Sequence, residues 1–179
     1  MLQIVVPAYE GFDEATNTFI PYREIKLSLE HSLVSLSKWE SKWHKPYLTG
    51  DKTTEEVIDY IKCMTITQNV PEDVYSRLTP QNITDIIKYI DDPMTATTFR
   101  EDKNGRKNRD IITAEVIYYM MFAAGVPKEC EKWHLNRLFA LLRVCGEKNA
   151  PPKKMSKREI LSRNRALNEA RRARLKSKG

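Results

Sequence analysis

The sequence predicts a mainly α fold: a multi-helix domain with an N-terminal β-hairpin, a mid-chain hairpin or loop, and a basic C-terminal helix. Three observations predict it. The first 27 residues are rich in β-branched and aromatic side chains around a polar turn; apolar residues then recur every three or four positions; and the last thirty residues are dominated by cations. The chain has 179 residues, 41% of them apolar and 30% charged, enough for one substantial core and an appendage. The domain boundaries read as 1–148 for a helical domain with its hairpin and 149–179 for a proline linker and basic helical tail.

Leu2-Gln3-Ile4-Val5-Val6 is a short β-favouring run. Thr18, Phe19, Ile20, Tyr22, Ile25 and Leu27 favour pleated structure on the far side of a polar turn at Asp13, Glu14 and Ala15. Pro21 places that second run at a sheet edge. Together they read as a hairpin. The period then lengthens. Leu29, Leu33, Leu36 and Trp43 share one helical face, with Ser28 as the cap and Pro46 as the stop. Thr53-Thr54-Glu55-Glu56 fits a capping box, in which the Thr53 hydroxyl accepts from the third helical N–H and Glu56 reaches back. Val57, Ile58, Ile61, Cys63 and Met64 follow. Pro71 opens a short helix through Leu78, and Thr79-Pro80 supplies a cap and a first-turn proline for Ile83, Ile86, Ile87 and Ile90.

Residues 91–110 break the pattern, and Asn104-Gly105 is a hairpin-type turn dipeptide. Residues 113–124 are so apolar (Val116, Ile117, Tyr119, Met120, Met121, Phe122) that they read as the central buried helix, stopped by Gly125. Pro127 opens the next helix, running through Trp133, Leu135, Leu138, Leu141, Leu142 and Cys145 to Gly146. Asn149-Ala150-Pro151-Pro152 is a linker, and Ser156-Lys157-Arg158-Glu159 is a second capping box. The helix that follows has few apolar residues, Ile160, Leu161, Leu167 and Leu175, so it is expected to stand off the core.

The net charge of +6 is unevenly spread. Lys153, Lys154, Lys157, Arg158, Arg163, Arg165, Arg171, Arg172, Arg174, Lys176 and Lys178 face only Glu159 and Glu169, so residues 151–179 carry +9 and residues 1–150 carry −3. Such a tail suits an acidic protein partner or nucleic-acid phosphates, although it lacks any aromatic residue for base stacking. Phosphate-loop, dinucleotide, GxSxG, HExxH and EF-hand patterns are absent. Cys63, Cys130 and Cys145 are dispersed and read as buried free thiols in a reducing cytoplasm; no spacing suggests zinc. His31, His44 and His134 read as structural or surface residues. Asp13 with Glu24-Ile25-Lys26 has the D…ExK form of metal-dependent nucleases, but a solvated hairpin edge accounts for these residues better. No run is long enough to span a membrane, and the first residues lack a signal-peptide pattern.

Several segments together resemble a known family. They are residues 29–41 (Leu29 through Trp39 to Ser41), Met94-Thr95-Ala96-Thr97, Glu115-Val116-Ile117-Tyr118-Tyr119, Trp133-His134-Leu135-Asn136-Arg137-Leu138, Pro151-Pro152-Lys153-Lys154-Met155 and Asn164-Arg165-Ala166-Leu167-Asn168. The chain is similar in these to the tail assembly chaperones, the G-type proteins of long-tailed bacteriophages. The resemblance implies a non-enzymatic helper in the host cytoplasm, without cofactor or metal. Its expected partners are the phage tape measure protein, which it keeps soluble, and the tail tube protein, with self-association as a further expectation. The candidate binding residues are the aromatics Trp39, Trp43, Tyr118, Tyr119 and Trp133. The competing expectations are a structural virion protein, such as a head–tail connector or minor tail component, and a nucleic-acid-binding protein acting through the basic helix.

Overall fold

A computed structural model describes residues 1–13, 17–99, 111–150 and 157–175. The fold is mainly α, with two short β-ladders at the N-terminus. The chain divides into two compact units, Met1–Gly146 and Glu147–Gly179. The expected mid-chain hairpin at Asn104-Gly105, the Ser156 cap, and Lys153, Lys154, Lys176 and Lys178 lie outside the described residues.

Strands β1 (Leu2–Val6) and β4 (Ile25–Leu29) pair antiparallel, with Ile4 opposite Leu27 and Val6 opposite Ile25. The inward residues Ile4, Val6, Leu27 and Leu29 are buried. Strands β2 (Tyr9–Asp13) and β3 (Thr18–Tyr22) continue the same hairpin as a separate ladder, from Tyr9 opposite Tyr22 to Asp13 opposite Thr18. Pro7-Ala8 and Arg23-Glu24 separate the two ladders.

Helix α1 (Leu33–Trp43) begins four residues later than the sequence suggested. Leu27, Ser28 and Leu29 still alternate with period two, so Leu29 stays in the strand, and Ser32, rather than Ser28, caps the helix by accepting from the Ser35 N–H. The helix ends at Trp43, with His44 at φ 52°, before Pro46 is reached. Helix α2 (Thr54–Met64) starts at the anticipated Thr53/Glu56 capping box, and α4 (Pro80–Asp91) at Thr79 with Pro80 in its first turn. Between them, α3 is a single turn, Asp73–Ser76.

Helix α5 (Ala114–Ala123) is not the buried centre. Only Ala114, Ile117 and Met121 are buried, and the Tyr119 and Phe122 rings are exposed. The central role falls to α1, which packs against α2, α5 and the 3-10 turn Lys128–Lys132. Trp39 faces one apolar cluster, with β1, β4, α2 and α4; Leu33 and Leu36 face another, with α5 and α6 (Leu135–Asn149). The helix expected from Pro127 is thus two elements. Trp133 is extended, and His134 bridges to Ser32, so the chain turns before α6 begins; α6 then runs past Gly146 to Asn149. Helix α7 (Lys157–Leu175) has no buried residue.

Buried polar groups fasten α1 to its neighbours. The Glu40 carboxylate accepts from the Tyr47 N–H (2.8 Å) and the Ala114 N–H (2.7 Å), tying the start of α5 to α1. His31 and His134 meet edge to face, 5.1 Å between centroids. The Leu135 N–H donates to the His31 carbonyl, Tyr60 Oη lies 2.6 Å from His31 Nδ1, and His134 Nε2 donates to the Tyr89 carbonyl. The Asn136 N–H donates to His134 Nδ1, which fixes the neutral tautomer.

Burial, then the facing His134, pushes the His31 imidazole down to about 4, and burial also lowers His134, against the opposing pull of the Tyr89 carbonyl, Glu30 and Asp92. Both values lie below the unfolded value of 6.5, so the unfolded chain binds the extra protons. Stability is full above about pH 6.5 and declines as the pH falls toward 4. The expected loss from His31 alone approaches about 3 kcal/mol at the acid end, read by urea titration across that range. His31→Gln, which keeps an acceptor for Tyr60, is expected to flatten this slope.

Candidate docking site

The five aromatics singled out from the sequence do not form one surface. Trp39 is core, and its indole N–H donates to the Glu56 carbonyl at 2.9 Å. Trp43 is half-buried, stacks on Trp39 at 6.1 Å, and donates to Asp59 Oδ2. Burial raises the Asp59 carboxyl, but hydrogen bonds from Lys42 and Trp43 outweigh that and hold it below its usual value. Tyr118 and Trp133 lie beside the other cluster. The Tyr118 hydroxyl donates to Glu131 Oε2, and burial first, then Glu131, pushes it up to about 12. The Arg137 guanidinium sits 4.2 Å over the Trp133 ring. Only Tyr119 is open, 72% exposed, with Phe122 one turn further along the same face of α5.

The D…ExK residues also stay apart. Asp13 pairs with Thr18, and Glu24 lies six residues further along the hairpin, about 20 Å at strand rise. Among the described residues no three His, Cys, Asp or Glu side chains gather as a metal site, and no helix is long and apolar enough to cross a membrane. Cys130 is buried, Cys63 and Cys145 are half-buried, and all three are free; burial raises the Cys63 thiol.

An apolar concavity lies between α2 and α4. A hollow of about 210 Å³ is lined by Tyr47, Val57, Tyr60, Ile61, Ile83, Ile86, Ile87 and Ile90. A second, of about 320 Å³, shares Val57 and Ile83 and extends the groove past Ile58 and Leu78. The floor includes the Tyr47 and Tyr60 rings, stacked at 3.7 Å with 20° between planes. Burial raises both phenols well above their ordinary values, so the floor is neutral. At the margin, Lys52 lies 4.8 Å over the Tyr47 ring and Lys45 pairs with Glu56. The pair with Lys45 and the capping bond with Thr53 hold the Glu56 carboxyl below its ordinary value.

Sequence reasoning passed over this groove because its isoleucines satisfy the pattern of an ordinary core face. The division within that face appears only in three dimensions. Ile86 is 2% exposed and Ile87 is 52% exposed, although they are adjacent on one stripe. The groove is suited to receive the apolar face of a helix: aliphatic side chains make up most of its lining, with Lys52, Thr54 and Ser76 in the outer hollow. Truncating Ile86 to Ala should cost about 2–5 kcal/mol of stability, while Ile87→Ser should cost about 1 kcal/mol or less, compared by chemical denaturation. A search of protein-family models, of curated proteins and of solved structures finds no match to the chain.

Proposed function

We propose that this chain is a tail assembly chaperone of a long-tailed bacteriophage. It acts in the host cytoplasm by covering apolar stripes on the tape measure protein, and it helps bring tail tube subunits to that scaffold. It works by binding alone and carries out no reaction. The observation that carries the reading is the open apolar groove between α2 and α4, with Val57 and Ile87 at its exposed margin. Helix α2 is 11 residues long, about 16 Å, so one groove covers about three turns of a partner helix. A long helical partner therefore needs many copies. Exposed Tyr119 and Phe122 on α5 offer a second apolar contact for a subunit.

Co-expression with the tape measure protein tests the reading. The wild-type chain is expected to raise the soluble fraction of its partner and to co-purify with it, and Val57→Asp with Ile87→Asp is expected to abolish both effects while the circular dichroism stays unchanged. Equal rescue by wild type and double variant would remove the groove from the mechanism. Stoichiometric copies in purified particles would instead favour a structural virion protein.

Helix α7 favours a second reading. Lys157, Arg158, Arg163, Arg165, Arg171, Arg172 and Arg174 occupy 19 residues in which every position is exposed. An arginine-rich helix of this kind suits phosphate groups. Under this reading, affinity for duplex DNA falls steeply with salt and disappears on deleting residues 153–178.

A further inference from the structure

The β2–β3 ribbon stands out from the rest of the hairpin. Tyr9 is 57% exposed, Phe12 51% and Phe19 70%, and no residue of the ribbon belongs to either core cluster. Cross-strand ring contacts hold it together, Tyr9 with Tyr22 at 6.2 Å and Phe12 with Phe19 at 5.1 Å. Among the described residues it is a two-stranded sheet, so each strand has a free edge. A two-stranded ribbon is marginal by itself, and its edges are templates for another strand.

The two edges differ. Pro21 lies in β3 opposite Glu10 and has no N–H, so it occupies a position whose backbone groups face away from β2. That proline removes a donor from the outer edge of β3 and obstructs pairing there. Opposed residues share their orientation in an antiparallel ladder, so the backbone groups of Glu10 also face outward, as do those of Phe12 two residues on. The outer edge of β2 therefore keeps its donors and acceptors. A ribbon with one open edge and one blocked edge accepts a single further strand.

We propose that this strand is β2 of a second copy, giving a two-fold dimer with the order β3-β2-β2′-β3′. With the axis at Gly11, Glu10 of each copy pairs with Phe12 of the other through outward N–H and C=O groups. The two Gly11 residues then face each other at the close spacing of a non-hydrogen-bonded pair, each covered on one face by the Tyr9 and Tyr22 rings of its own copy. A register shifted by one step would set Glu10 against its own copy, carboxylate against carboxylate, which is unfavourable. Because one edge of each ribbon is closed by Pro21, the pairing ends at two copies and does not propagate as a fibre. Pairing along one five-residue edge covers little surface, so the dimer is weak and concentration-dependent. This pairing uses no residue of the α2–α4 groove.

Sedimentation equilibrium of the full chain, from about 1 to 200 µM, tests it. Wild type is expected to pass from monomer to dimer within that range. Glu10→Pro removes the outward donor of β2 as Pro21 does on β3, and is expected to weaken dimerisation at least tenfold. Pro21→Ala restores the outward donor of β3 and leaves both ring contacts in place, and is expected to retain the dimer and to allow association beyond two copies. Melting curves should coincide for all three, since the ribbon contributes no core residue. A wild type that stays monomeric, a dimer indifferent to Glu10→Pro, or equal loss in both variants would overturn the proposal.

Discussion

The fold depends on the contact between His31 and His134. The two rings lie at the corner where β4 passes into α1 and where the chain turns into α6. From that corner, bonds reach both walls of the groove. Tyr60 of α2 comes to His31, and the Tyr89 carbonyl of α4 accepts from His134. Tyr89 also donates through its hydroxyl to Glu30, the carboxylate that pairs with the N-terminal ammonium. The spacing of α2 and α4 is therefore set from behind by a pair of neutral imidazoles. A buried polar network of this kind is specific because each member has its partner, and it loses much of its value when one member takes a charge.

The groove is open because its walls are braced elsewhere. Ile86 and Ile61 belong to the packed cluster, whereas Ile87 and Val57 on the same helices reach the surface. Docking an apolar helix there would cover surface that is already assembled, so little of the binding energy is spent on ordering the site. The salt bridges nearby, Lys45 with Glu56 and Lys42 with Asp59, have exposed lysines. They contribute modestly to stability but keep the margin polar, which limits unspecific contact.

Much of this architecture was legible in the sequence where a local rule suffices. Thr53 with Glu56, and Thr79 with Pro80, mark helix starts through bonds made within four residues. The hairpin was legible from its β-favouring runs and the polar turn between them. The start of α1 was not: Leu29 fits a helical face and a strand equally well, and its burial beside Leu2 decides for the strand. The break at Trp133 arises from the bridge between Ser32 and His134, about a hundred residues apart, which no local pattern reports. For α5, apolar content pointed to the centre of the domain, but composition does not say which apolar residues find neighbours. For the same reason the sequence did not show that, of the five candidate aromatics, Trp39 is core and Tyr119 alone is open. Large aromatics were favoured over isoleucines, and the isoleucine stripe of α4 proved to run from core at Ile86, through half-buried Ile83 and Ile90, to open surface at Ile87.

Weak contacts in several copies suit the proposed work better than one tight contact. A chaperone that must leave before a tail is complete needs fast release from each site, which requires modest affinity. Retention on a long repetitive partner then has to come from linkage between sites. A second groove held nearby is presented at an effective concentration of about 1 mM, so two micromolar contacts can together gain a factor of about a thousand. Pairing through β2 supplies such linkage with a geometry that stops at two copies. The groove, the ribbon and the basic helix lie on different parts of the sequence, and each can be altered without touching the imidazole pair that sets the fold. Binding strength can therefore be tuned at the surface while the braced interior stays the same.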